Sequence, residues 1–232
     1  IIIISVVGIT KLEVENSFIN YFDKETEIYK GMKLIDNELG GTTPLDVIVK
    51  FPDKELIEKN DDDFDSWDDE EKDDAKYWFT RNKIDKITQV HDYLDGLEAV
   101  GKVISFASMV RVAEDLNDGK ELRGLEMGVL YTKIPDSIKK EIINPYISIK
   151  NNEARISLRI LDSKEDLRRN ELIKKINYDL ENKLGFKKEE FKLSGLLILY
   201  NNLLQSLFKS QILTLGVVMS GITLMFLILF RN

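Results

Sequence analysis

The chain has 232 residues, a formal net charge of -8, 43% hydrophobic residues, no cysteine and one histidine. That balance excludes a nucleic-acid binder built on clustered Lys and Arg, a Cys/His zinc site, a disulfide frame and a thiol nucleophile. It leaves one domain, or two small ones, large enough to bury a core.

Ile1 to Ile9 (IIIISVVGI) carries no charge and begins abruptly. It reads as the end of a membrane span whose start precedes residue 1, and it lacks the basic flank and cleavage site of a signal peptide. Residues 10–195 are polar and read as one α+β domain. Ile28, Met32, Ile35 and Leu39 recur at helical spacing, and Gly40-Gly41 supplies a left-handed stop. Thr42 to Phe51 reads as a strand, rich in β-branched residues and flanked by Pro44 and Pro52. Residues 53–74 read as a solvated acidic loop, since 61–74 holds ten carboxylates and one lysine. Asp61, Asp63 and Asp65 alternate as in a calcium loop. The sixth and twelfth places hold Ser66 and Lys72 where Gly and Glu are needed, so no metal is expected.

Helical spacing returns over 75–97 through Trp78, Phe79, Ile84, Ile87, Val90 and Leu94, and a strand-like run follows at Val100 to Met109. Val110 to Asn144 reads as irregular helix, broken at Gly119, Gly124 and Pro135. Tyr146 to Ile149 and Ala154 to Leu161 predict a hairpin around Asn151-Asn152. Ser163 is the expected cap of a helix from Lys164 to Leu184, closed by Gly185, and a short strand spans Glu190 to Ser194. Helices alternating with short strands point to a ferredoxin-like, split βαβ arrangement.

After Gly195 no breaker intervenes before the apolar run that begins at Ile212. Residues 196–211 are expected to form a connecting helix that runs directly into a transmembrane helix at 212–230. Those last nineteen residues are uncharged, and at 1.5 Å per residue they extend roughly 28 Å, about the thickness of a hydrocarbon core. Lys209 and Arg231 flank them.

Glu15 to Pro52, Pro145 to Ser163 and Leu193 to Gly216 carry a resemblance to the first extracytoplasmic loop of exporters in the resistance-nodulation-division (RND) superfamily, nearest its MMPL-like branch. The likeness is one of extended pattern and not of a short catalytic signature. It implies a porter domain, one of two such loops in a multi-pass inner-membrane protein that moves lipids or other hydrophobic molecules by proton flow. The partners it implies are the hydrophobic cargo, the bilayer, the remaining helices and the second loop. The proton-carrying residues would lie in helices outside this sequence, since 212–230 contains no ionisable group.

Neither a nucleophile motif nor a cofactor fingerprint is present, so no enzymatic chemistry is expected. His91 lies beside Asp92 on a predicted helix; a general base is one reading and a structural histidine the other. Tyr200, Asn201, Asn202, Gln205 and Lys209 give the connecting helix a polar side. That side is either a hinge or cargo portal at the bilayer or ordinary packing against the domain. Gly216 and Ser220 form a small-xxx-small pair that admits a neighbouring helix. The alternative reading of the whole chain is a membrane-anchored ligand-binding or sensor module.

Overall fold

The computed structural model describes Ser17 and residues 19–52, 78–122, 124–164 and 166–230. The apolar run 1–9 and the acidic stretch 53–74 lie outside these residues. What is described is a mixed α+β fold around a five-stranded antiparallel sheet.

Strand β1 (Thr43–Lys50) lies inside the sheet, consistent with its β-branched composition. In chain order β2 (Val100–Ile104), β3 (Ile147–Ser148), β4 (Glu153–Ile160) and β5 (Phe191–Ser194) follow. The order across the sheet is β2-β4-β1-β5, with β3 paired to the start of β4. The register of β1 and β4 runs from Thr43 opposite Ile160 to Lys50 opposite Glu153. It places Leu45, Val47 and Val49 with Ala154, Ile156, Leu158 and Ile160 on one buried face. The other face is polar, and Arg155–Asp46 and Lys50–Glu153 pair across its strands at 2.9 Å each.

Among the described residues seven α-helices accompany the sheet, six of them longer than one turn. Helix α1 (Glu27–Glu38) precedes β1, and α2 (Arg81–Asp95) joins β1 to β2. Between β2 and β3 lie α3 (Phe106–Leu116), α4 (Gly124–Lys133) and a short turn, Asp136–Ile138, that widens into a π-type turn at Lys139–Ile143. Helix α5 (Arg169–Asn182) joins β4 to β5, and α6 (Leu196–Leu229) ends the described chain. Ile84, Ile87, Val90 and Leu94 of α2 and Leu172, Ile176 and Leu180 of α5 pack into the same core as the sheet.

Several expected boundaries move, each for a local reason. The expected start at 75 lies outside the described residues; the helix capped by Thr80 runs from Arg81, after the buried aromatics Trp78 and Phe79. The strand read to Met109 ends at Ile104, because Ser105 and Ser108 form a capping box that starts α3. Ser163 does not cap the following helix. Its N–H donates to Asp36 at 2.8 Å, and the helix begins at Arg169. The apolar stripe of α1 is not buried either: Ile28, Ile35 and Leu39 are exposed, and the one buried residue of this helix is Asp36. The expected hairpin around Asn151-Asn152 forms, with Asn152 at φ 53.

Gly40-Gly41 does more than stop α1. Both have positive φ (79° and 105°), and the turn lies directly on the sheet. A Cβ added to Gly101, at the irregularity in β2, would come within 2.5 Å of the Gly40 carbonyl. Gly101→Ala is therefore expected to destabilise the domain by about 2–4 kcal/mol, because two backbones must separate. Urea unfolding followed by circular dichroism measures this, and a loss under about 0.5 kcal/mol would show the contact to be loose.

Candidate functional site

An apolar hollow lies where the chain inserts helices between β2 and β3. It begins with Ser105, whose side chain accepts a hydrogen bond from Ala107 N–H at 3.1 Å and fixes the start of α3. From there α3 turns Phe106, Ala107 and Val110 into the core and Met109, Val112 and Leu116 toward α4. Helix α4 answers with Met127, Leu130 and Tyr131, and Ile134, Ile138, Ile142 and Ile143 close the far side. The result is a cleft of about 480 Å³, within the range of small-molecule sites. Its lining contains one serine, Ser108, and no charged side chain. At its floor Phe79 stacks on Phe106 and Tyr131 with centroids 5.4 and 5.1 Å apart, continuing an aromatic row from Phe51 and Trp78.

Chemically this lining suits an apolar group. His91 and Ser105 come nearest to a catalytic pair in character: Nδ1 and Oγ share a hydrogen bond of 2.9 Å. Ser105 is fully buried and already caps α3, so its hydroxyl has no path to a substrate. Burial, together with the charge of Arg111, holds the His91 imidazole below its ordinary pKa, while Asp92 and Asp95 act in the opposite sense. His91 is therefore buried, with Ser105 as its partner and not the adjacent Asp92. Among the described residues no group of three His, Asp or Glu side chains is placed to hold a metal ion.

No protein-family model, curated protein or solved structure matches this chain.

The residues singled out near the membrane divide. Helix α6 is unbroken from Leu196 to Leu229, so the connecting helix and the apolar stretch are one rod. Its first turns lie on the domain. Leu197 and Asn201 are buried, and Tyr200, Leu204, Gln205 and Phe208 are half-buried along the same side. Asn202 and Lys209 are exposed. The predicted polar side thus splits: Tyr200, Asn201 and Gln205 pack against the domain, and Asn202 and Lys209 do not. From Lys209 to Phe230 every residue is exposed, and the stretch is long and apolar enough to cross a membrane. Within it the hydroxyls of Thr214, Ser220 and Thr223 each donate to the carbonyl four residues earlier at 2.8 Å. These three hydroxyls are satisfied by the helix's own backbone, an arrangement compatible with an apolar environment. The Ser220 bond ends on Gly216, and nothing lies within 4 Å of a Cβ placed on Gly216.

At the top of the rod the domain is pinned by two carboxylates that sequence reading passes over. Asp36 accepts hydrogen bonds from Thr42 N–H and Oγ1 (2.8 and 2.7 Å) and from the N–H groups of Asp162 and Ser163 (2.9 and 2.8 Å). Burial pushes its pKa up, but these donors outweigh burial and hold it below the ordinary carboxylate value. Asp162 in turn pairs with Arg169 and accepts from Ser17 Oγ at 2.7 Å and Ile19 N–H at 3.3 Å. The Tyr200 hydroxyl lies beside Tyr21 in the field of this pair.

The cleft residues were likewise missed. The signal that finds them is Ser105-x-x-Ser108 followed by α3 and α4, two helices with more apolar positions than one buried face can use.

Proposed function

We propose that this chain is the porter-type domain and following transmembrane helix of a proton-driven, RND-type exporter of lipids or other hydrophobic molecules. The observation that carries the reading is the uncharged cleft in a domain whose last strand passes without a linker into the membrane-length helix. A closed apolar route needs a lining without charges, and a transporter needs the domain to feel the movement of its helices. The order β2-β4-β1-β5, with α2 and α5 as crossovers, supports the split βαβ, ferredoxin-like reading of the domain. In the proposed setting the domain is extracytoplasmic, in a multi-pass inner-membrane protein whose remaining helices carry the protons. The domain itself makes and breaks no bonds.

Motion would reach the cleft through the sheet. Helix α6 packs on β1, β5 and α5, and β1 is paired through β4 to β2, whose end opens into α3. Tyr200, Asn201 and Gln205 are the polar residues at the contact that would transmit it.

The test is photolabelling of the chain in lipid nanodiscs by a fatty acyl probe carrying a diazirine. Label is expected on α3 and α4, and Ala113→Trp, which fills the cleft, should reduce it by about tenfold. Equal labelling of the Trp variant would place the probe elsewhere and remove the cargo reading. The second reading, a membrane-anchored ligand-binding module, draws on one membrane-length helix among the described residues. It shares the labelling result and differs in vesicle assays of the whole multi-pass protein that the exporter reading requires: an exporter moves the probe across the bilayer, and an anchored module does not.

A further inference from the structure

His91 is the single histidine of the chain and is buried where α2 meets α3. Its Nδ1 is bonded to Ser105 Oγ, the group that caps α3. Helix α3 is one wall of the apolar cleft through Met109 and Val112. One imidazole thus touches the first turn of the helix that bounds the cleft.

We propose that His91 is a proton-operated latch on the cleft: neutral, it holds the start of α3 against α2; protonated, it releases α3 and widens the cleft. This rests on the reading of the cleft as the seat of an apolar molecule and adds its regulation. The charged groups around His91 decide the direction. From α3, Arg111 presents a like charge to an imidazolium; from α2 itself, Asp92 and Asp95 oppose it. Arg111 is already tied to Asp92 at the surface, which spends part of that opposition. The strands beneath α2 contribute buried apolar side chains, Val100 and Val103 from β2 and Leu158 and Ile160 from β4. A proton on His91 therefore meets an apolar layer on one side and a cation on the other.

The sign follows from where the proton is more easily held. With α3 released, the imidazole is hydrated and titrates near its ordinary value of about 6.5. With α3 packed, the imidazole binds its proton only at lower pH. The packed arrangement is thus fully favoured above about pH 6.5 and loses ground as pH falls toward the lower value. One group shifts the opening equilibrium by at most about tenfold per pH unit within that window.

Because the chain has no cysteine, single substitutions report the opening cleanly. Met127→Cys places a thiol on the buried wall, and Leu116→Cys places one on a rim residue that is 84% exposed. An uncharged pyridyl disulfide reacts with both in nanodiscs, and the ratio of the two rates cancels the titration of the thiol. The ratio is expected to rise by about tenfold from pH 7.5 to 5.0, and to stay flat in His91→Gln. In Arg111→Gln, which leaves the cap of α3 intact, the midpoint of the rise moves to higher pH. A flat ratio in the unaltered background, the same rise in His91→Gln, or an unmoved midpoint in Arg111→Gln each overturns the latch. The last variant decides alone if His91→Gln does not fold. Acyl photolabelling of the cleft that persists beside a flat ratio removes the latch and leaves the cargo reading. Loss of that labelling removes both.

Discussion

Asp162→Ala is expected to cost the domain about 3–5 kcal/mol, the largest effect of any single side chain described above. Both members of the Asp162–Arg169 pair are buried, with side chains 1% and 5% exposed. Removing the carboxylate takes from the buried guanidinium the opposite charge it pairs with here: Arg169 Nε and Nη2 lose their bonds to Oδ1, and Nη2 keeps the Asp162 backbone carbonyl. Ser17 and Ile19 lose theirs as well, so the segment entering the domain comes loose from it. Two measurements separate these consequences. Urea unfolding in nanodiscs reads the total loss, and hydrogen exchange at the Ile19 amide reads the release of the entry segment. The double variant Asp162→Leu/Arg169→Met should recover part of the stability, because no guanidinium is then left facing a missing carboxylate. The Ile19 amide should stay fast in that variant, since leucine accepts no hydrogen bond. A single-variant loss below about 1 kcal/mol would show that the pair is hydrated and holds little.

Val218→Arg is expected to lower partitioning of the chain into membranes by about a hundredfold. Position 218 is near the middle of the apolar stretch, where an arginine costs about 2.5–3.5 kcal/mol to insert. Carbonate extraction of membranes from cells expressing the full chain measures the distribution. The substitution discriminates because Val218 is 50% exposed with no protein packed over it. If water and not lipid surrounded α6, the same change would fall within about 0.5 kcal/mol and would improve solubility. Unchanged membrane retention of the variant would therefore remove the transmembrane assignment of residues 212–230.

What could be read from the sequence, and what could not, follows the range of the interactions. The continuity of α6 was legible because a helix is a local structure and no glycine or proline interrupts 196–211. The turn at Gly40-Gly41 and the hairpin at Asn151-Asn152 were legible for the same reason, since a positive φ has few residue types to choose from. The use made of those turns was not. Asn152 also donates to the carbonyl of Pro52 at 2.9 Å and accepts from Lys83 Nζ at 2.8 Å, contacts that only the folded chain brings together.

Charged positions misled most. Asp36 sits on a helix where apolar spacing points the stripe of Ile28, Ile35 and Leu39 inward, yet the acid is the buried member. It is buried because donors from Thr42 and from the Asp162–Ser163 backbone, more than a hundred residues away, meet it there. Periodicity carries no information about such donors. His91 is a parallel case: its neighbour in sequence, Asp92, turns to Arg111, while Ser105, fourteen residues on, meets the ring. The cleft escaped notice because it is made from the surplus apolar sides of α3 and α4, and surplus is visible only once the core has been filled.

The unbroken run of α6 has a mechanical consequence. A helix of 34 residues is a stiff shaft roughly 51 Å long, anchored at one end by the sheet. The joint at Gly195 has little room to flex: a Cβ there would meet the Pro44 carbonyl oxygen at 3.0 Å, and φ is 110°. A change of ~10° in tilt of the shaft therefore displaces one end relative to the other by roughly 9 Å, or twists the sheet if the domain end is held. In the proposed membrane setting hydrophobic mismatch is relieved in part by tilting, so a thicker or thinner bilayer would apply a torque to β1 even with nothing bound.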